Sequence, residues 1–311
     1  MSTILITGGA GFIGTHLCRN LIARNTRVLS LDLKEPKTPV DGVLYLIGDA
    51  RNTSLVSELV DLESIETIYH LAATVSVPLC QTDPVESYSH NLIATQSVLE
   101  ASRRSGRQVR VAFASSAALY GSLGDHRNPL HEAAIAERFS SFYAAQKHAS
   151  EKMIELYRDF FKVPALIFRF FNVYGVGQDP TSPYSGVITI FSKLAREKKP
   201  ISVYNSGIQT RDFISVTELT SAISQALDLP SEQWDASVVN LGSGTSTTIR
   251  ELAEMIRSIA GSDAPIVDLP PREGDVLHSL ADIRRAKEIL KFSPTSDLPV
   301  KLSHMLTQIS Q

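Results

Sequence analysis

Ile4-Leu5-Ile6-Thr7-Gly8-Gly9-Ala10-Gly11-Phe12-Ile13-Gly14 is the stretch on which the fold turns. A short apolar run ends in glycine, and Ile13, Leu17 and Leu21 then recur every four residues, so a strand passes through a tight turn into a helix. The spacing is GxxGxxG. Gly8 and Gly11 permit the turn and a close backbone approach to a pyrophosphate, and Gly14 lets the helix pack on the strand. Phe12 and Ile13 open a helix whose free N–H groups and positive dipole end suit phosphate. Asp32 ends the next β-rich run, 18 residues after Gly14. A carboxylate there binds the hydroxyls of an adenosine ribose and repels a 2′-phosphate, which favours NAD over NADP; nearby Lys34 is the one feature that argues for the phosphate.

Working outward, strands are expected at 4–7, 27–31, 43–47, 67–71, 109–115, 165–169 and 238–241, alternating with helical segments marked by Leu55 and Leu59 and by Val98. This order implies an α/β fold, a doubly wound parallel (Rossmann) sheet with helices on both faces. Thr248-Ile249-Arg250-Glu251 is a capping box that opens a helix to about Ala260. The Gly-, Pro- and Tyr-rich segment from Asn172 to Asp212, with one helix near 187–198, and the loop-rich tail predict a smaller, non-contiguous substrate-binding lobe. The expected division is residues 1–171 and 213–246 for the cofactor domain, and 172–212 and 247–311 for the lobe.

The chain has 311 residues, 43% hydrophobic and 20% charged, which excludes a largely disordered polymer. A net charge of −3 argues against a nucleic-acid partner, since broad phosphate neutralisation needs a basic surface. Cys18 and Cys80 are too few for a disulfide framework and lack metal-ligand spacing, so no metal is expected. No run approaches the 18 apolar residues of a membrane span, and the N-terminus reads as a strand, so a cytoplasmic chain is expected.

The candidate chemistry lies in Tyr143-Ala144-Ala145-Gln146-Lys147. Residues i and i+4 share a helix face, which points the Tyr143 phenol and the Lys147 ammonium the same way. A phenol is a poor base at pH 7 unless positive charge lowers its pKa, and Lys147 together with a nicotinamidium would do so. Tyr143 then serves as a general base coupled to hydride transfer. Ser116, at the end of the strand before it, either orients the same substrate oxygen or caps the strand.

With these segments the chain resembles the extended short-chain dehydrogenase/reductase family, and within it the nucleotide-sugar 4-epimerases of the UDP-glucose 4-epimerase type. The resemblance rests also on Gly48-Asp49-Ala50-Arg51, His70-Leu71-Ala72-Ala73, Ser115-Ser116-Ala117-Ala118-Leu119-Tyr120-Gly121, Arg169-Phe170-Phe171-Asn172-Val173-Tyr174-Gly175, Gln209-Thr210-Arg211-Asp212-Phe213 and Arg272-Glu273-Gly274-Asp275-Val276. It implies that Asp49 and Ala50 contact the adenine, that Leu71, Ala72, Ala73 and Phe170 line the cofactor, and that Asn91 lies in a helix beneath them. It implies Asn172 as a diphosphate contact, Val187 and Tyr204 as nucleobase contacts, and Arg211 and Arg272 as a diphosphate or ribose clamp. Arg211 beside Asp212 also reads as a simple ion pair, and either arginine as a surface charge.

Related dehydratases and decarboxylases carry an acidic residue after the position of Ser116; here Ala117 stands there, which favours simple inversion at C4. The resemblance implies a gate seven positions beyond the clamp arginine Arg272; there stands Ser279, a small side chain expected to leave room for a 2-acetamido sugar beside UDP-glucose and UDP-galactose. A UDP-uronic acid or GDP/CDP-sugar epimerase, and a non-catalytic NAD-binding module, remain as alternatives. Apolar stripes on the helices at 86–103 and 141–160 imply a homodimer, or burial against the chain's own sheet.

Overall fold

A computed structural model describes residues 2–124, 128–178, 186–272, 275–295 and 297–309. The chain forms two compact units. The first comprises residues 1–119, 141–169 and 220–239, and the second 120–140, 170–219 and 240–311.

The first unit is built on β1 (Thr3–Thr7), α1 (Phe12–Ala23), β2 (Arg27–Asp32), β3 (Val43–Ile47), α2 (Thr53–Leu62), β4 (Thr67–His70), α3 (Val77–Thr82), α4 (Pro84–Tyr88), α5 (Ala94–Arg104), β5 (Arg110–Ser116), α6 (Phe142–Phe161) and β6 (Ala165–Phe170). A π-turn at Ser89–Ile93 joins α4 to α5. The sheet runs β10-β6-β5-β4-β1-β2-β3, where β10 is Asp235–Leu241. The pairs β1–β2, β1–β4, β2–β3 and β4–β5 are parallel. Strand order therefore reverses between β1 and β4, the switch point at which such sheets bind ligands beyond their carboxyl ends. β1, β4 and β6 are buried along their whole length, as two-sided cover by helices requires. On α2 the fully buried residues are Val56 and Val60, while Leu55 and Leu59 flank the core, one position off the expected stripe.

The second unit holds β7 (Asn172–Tyr174), α7 (Val187–Arg196), β8 (Ile201–Tyr204), β9 (Thr210–Ser215), α8 (Val216–Gln225), β11 (Ser246–Thr248), α9 (Ile249–Ile259), β12 (Ile266–Leu269), α10 (Arg284–Leu290) and α11 (Leu298–Ile309); the latter part of α8 falls in the first unit. Its sheets are β11-β9-β7 and β12-β8. Ile188, Phe191, Val203, Leu252, Ile256 and Leu302 form its core. The capping box closes as read: Thr248 accepts from the Glu251 N–H and the Glu251 carboxylate accepts from the Thr248 N–H. α7 stops at Arg196, shortly before Lys198 turns left-handed at φ 52°. No helix among the described residues is long and apolar enough to cross a membrane.

The units divide the chain at other points than the lobes expected from composition. Residues 120–140 group with the second unit because Leu130 bridges Ala281 and because Asn240 donates to the Leu130 carbonyl at 2.8 Å. Residues 213–219 group there through β9, whose pairing with β7 and β11 carries Phe213 and its neighbours with it.

Candidate active site

The glycine turn is built for close approach. A Cβ on Gly14 would lie 2.3 Å from the Gly8 carbonyl oxygen and 2.6 Å from the Gly9 Cα, and one on Gly8 (φ 75°) would lie 2.7 Å from the Ala72 nitrogen. Only hydrogen fits there, so the loop, the start of α1 and the main chain after β4 stay in contact. The Asp32 carboxylate accepts from the Ala10 N–H at 3.1 Å and the Lys34 N–H at 3.3 Å, which fixes the acid at the tip of β2 beside the loop. Phe12 sits edge-on to His16 at the first turn of α1, with Ile13 next to it. This bare cradle with a carboxylate at its rim fits a dinucleotide with free ribose hydroxyls.

Asp49 is paired: Arg51 donates to it from Nε and from its main-chain N–H, both at 2.8 Å, and the side-chain bond holds the Asp49 carboxyl below its usual range. Ala50 is buried beside it. Leu71, Ala72 and Ala73 follow β4 and are half-buried. Asn91 is buried in the π-turn, and Phe170 is buried at the end of β6.

Tyr143 and Lys147 lie one turn apart on α6, the N-cap of which is Ser141, with both side chains buried. Lys147 Nζ donates to the Ala114 carbonyl at 2.7 Å, lies 4.6 Å from the Phe113 ring centroid and 6.0 Å from that of Tyr143. The Ser116 hydroxyl accepts from the Ala118 N–H at 3.1 Å, so it caps its strand, and it lies near enough to the Tyr143 phenol to favour its ionised form. Burial pushes the phenol up to about 12, against the pull of the nearby Ser116 hydroxyl. Burial also pulls Lys147 down to about 7, with Glu151 opposing. The pair alone is thus tuned against a phenolate, opposite in sign to the expectation from spacing, because desolvation outweighs one ammonium.

Three features near the pair escaped the sequence reading. Glu151, one turn beyond Lys147, takes a fork from Arg169 at 2.9 and 2.8 Å and a bond from the Ser115 hydroxyl at 2.5 Å, with both ionic side chains 1% exposed. The i+8 spacing from Tyr143 was visible; its partner 18 residues on was not. His70 is fully buried between Thr7 Oγ1 (2.7 Å) and Thr95 Oγ1 (3.1 Å), and burial pulls it down to about 3. The Gln146 carboxamide bonds Asn91 and Ser87.

In the second unit Asn172 Nδ2 donates to the Asp212 carbonyl at 3.0 Å. Val187 begins α7 and Tyr204 ends β8. The Arg272 guanidinium stacks on the Tyr204 ring, 3.6 Å from its centroid. Arg211 does not pair with Asp212. It binds Asp275 at 2.8 Å and the carbonyls of Thr210 and Val276 at 2.9 and 2.7 Å. Asp212 is turned instead to the N–H groups of Ser243, Gly244 and Ala281, because β9 alternates its side chains. Ser279 is buried, its N–H on the Thr210 carbonyl at 3.2 Å. Glu273 and Gly274 lie outside the described residues. Both cysteines are free and buried, and Cys80 on α3 lies within electrostatic reach of Tyr143.

Residues 4–242 match the profile of the NAD dependent epimerase/dehydratase family. The chain is 31% identical to a UDP-glucose 4-epimerase of Mycolicibacterium smegmatis over 301 residues, 93% of each chain. It is similar in structure to Thermus thermophilus UDP-glucose 4-epimerase in complex with NAD, with TM-score 0.88, 28% identity and 99% of each chain covered. It is similar also to UDP-N-acetylglucosamine 4-epimerase from Methanobrevibacter ruminantium in complex with UDP-N-acetylmuramic acid, with TM-score 0.88, 30% identity and coverage of 100% of this chain and 99% of that one.

Proposed function

The chain belongs to the NAD-dependent epimerase/dehydratase family, and from that premise we propose that it is an NAD-dependent isomerase that inverts C4 of a UDP-hexose. The observation that carries the reading is the buried Tyr143–Lys147 pair with the Ser116 hydroxyl nearby, in the same unit as the glycine cradle. Gly8, Gly11, Phe12, Ile13 and Gly14 would hold the pyrophosphate of NAD, Asp32 its adenosine ribose, Asp49 and Ala50 its adenine, and Leu71 to Ala73, Asn91 and Phe170 its remaining length. Tyr143 removes the proton from O4, and Ser116 orients that oxygen. Taking a phenol from about 12 to a working value near 7 requires roughly 7 kcal/mol at 1.36 per unit. A charged Lys147, its Nζ 6.0 Å from the ring centroid, provides on the order of 3 kcal/mol at an effective dielectric near 20. When bound, NAD would supply the positive ring charge for the remainder and the reversible hydride chemistry that inversion at C4 needs.

The residues of the second unit would hold the nucleotide while the sugar turns. Arg211 and Arg272 suit the diphosphate or ribose, with Asn172 beside the diphosphate and Val187 and Tyr204 at the base. The small Ser279 supports acceptance of UDP-N-acetylglucosamine and UDP-N-acetylgalactosamine beside UDP-glucose and UDP-galactose. On α4, the π-turn and α6, Val85, Tyr88, Ile93, Leu156 and Phe160 are exposed by 80%, 50%, 37%, 54% and 75%, which supports pairing of two copies through this face. Two free buried thiols fit a reducing cytoplasm.

Small molecules released from the purified protein and identified by mass should include NAD. A panel of UDP-, GDP- and CDP-sugars should then show C4 inversion of UDP-hexoses, lost at least a hundredfold in Tyr143→Phe. Turnover confined to UDP-uronic acids or to GDP- or CDP-sugars would replace the substrate assignment. Unchanged turnover in Tyr143→Phe would overturn the mechanism. Ser279→Tyr should lose the N-acetylated substrates first.

A further inference from the structure

Gln146 carries no role in the chemistry above, yet it is only 5% exposed and its carboxamide ends at two segments of the first unit. Its Oε1 accepts from Asn91 Nδ2 at 2.7 Å, and its Nε2 donates to Ser87 Oγ at 2.9 Å. Asn91 in turn clamps the main chain of Thr74 from both sides: Oδ1 accepts from the Thr74 N–H at 2.8 Å, and Nδ2 donates to the Thr74 carbonyl at 3.1 Å. Ser87 Oγ donates to the Pro84 carbonyl at 3.1 Å. The chain of bonds has one direction only. A backbone N–H at Thr74 fixes the Asn91 amide, which fixes the Gln146 amide, and a backbone carbonyl at Pro84 fixes the Ser87 hydroxyl at the far end. Each amide nitrogen and oxygen of Asn91 and Gln146 has a partner, and all three side chains are buried, so the array is rigid and costly to break.

Thr74 follows directly on Leu71-Ala72-Ala73, and Gln146 adjoins Lys147. We propose that Gln146 is a positioning residue: acting through Asn91, it sets the loop after β4 at a fixed distance from the turn of α6 that bears Tyr143 and Lys147, and so holds the cofactor wall in register with the base. This rests on the reading of the first unit as the holder of NAD. A misplacement of 1 Å between a hydride donor and its acceptor costs on the order of a hundredfold in rate.

Gln146→Met keeps the bulk and removes both bonds. Expected are a kcat lowered at least tenfold, a KM for the UDP-sugar within twofold of wild type, and amide exchange of residues 71–79 at least tenfold faster. Asn91→Leu, which also severs the clamp on Thr74, should lower kcat at least as far, and the double variant should be no worse than Asn91→Leu alone, since Gln146 acts through Asn91. Ser87→Ala, which cuts only the far end, should move the same readouts less, and it carries the test should Gln146→Met not fold. A lowered melting temperature with kcat unchanged, unaltered exchange at 71–79, or kcat losses that multiply in the double variant each overturn the proposal. If the wild-type chain turns over no UDP-sugar while Gln146→Met still loosens the loop and releases NAD, the epimerase reading fails and the positioning role stands.

Discussion

Glu151→Gln tests the electrostatic frame behind the Tyr143–Lys147 pair. The wild-type carboxylate meets Arg169 at 2.9 and 2.8 Å, with both side chains 1% exposed. Desolvating the two ions makes the intact pair worth little in itself, but removing one member leaves the other charge buried without its counterion, at about 3–5 kcal/mol. For 311 residues at about 2.1 cal/mol/K each, 1 kcal/mol is roughly 1.5 °C, so the melting temperature should fall by about 5–8 °C. The Ser115 hydroxyl bond can survive on the amide oxygen, so the loss is one of charge rather than of packing. Glu151→Leu combined with Arg169→Met removes both ions and should recover most of the loss. A second readout separates the electrostatic role from the structural one. Glu151 opposes the burial that pulls Lys147 down to about 7, so Glu151→Gln lowers Lys147 further. Fewer lysines are then charged at pH 7, and the alkaline limb of the kcat profile should move to lower pH. Urea unfolding within 1 kcal/mol of wild type, together with an unmoved pH profile, would refute the reasoning.

Gly14→Ala places a methyl against the backbone of Gly8 and Gly9 at 2.3 and 2.6 Å, and backbone cannot yield as a side chain would; the purified variant should keep its circular dichroism and lose bound NAD, as mass analysis will show. Asp32→Ala removes the charge that repels a 2′-phosphate, and titration should show the preference for NAD over NADP reduced at least tenfold. His70 titrates near 6.5 in the unfolded chain and near 3 in the folded one, so between those values the unfolded chain binds one more proton and acid favours unfolding. Stability should fall by about 1.4 kcal/mol per pH unit from this group as the pH drops from 6.5 to 3, and His70→Leu should flatten the slope by that amount in urea titrations at stepped pH.

What could be read from the sequence was what is encoded locally. The glycine turn, the capping box at Thr248–Glu251 and the spacing of Tyr143 and Lys147 each lie within a few residues, and each is realised as read. The stripe on α2 was read one position out, because Leu55 and Leu59 are as apolar as Val56 and Val60 and only packing distinguishes them. Pairings across the chain left no such trace. Arg169 finds Glu151 from a neighbouring strand, Arg211 finds Asp275 rather than the adjacent Asp212, and residues 120–140 join the second unit through Leu130 and Asn240. The sign of the pKa shifts was also illegible, since spacing reveals a neighbour's charge but not the depth at which both groups are buried.

The π-turn at Ser89–Ile93 acts as a phase shifter. One surplus residue rotates all that follows by about 100° relative to all that precedes it. Downstream, Val98, Leu99 and Ala101 are delivered to the hydrocarbon interior; upstream Ser87, and within the turn Asn91, are delivered to the amide of Gln146. A regular spiral could present one of those faces to its surroundings but would carry the other around to the wrong side. The irregularity is what lets a single rod serve as wedge for the core along one half and as polar latch along the other.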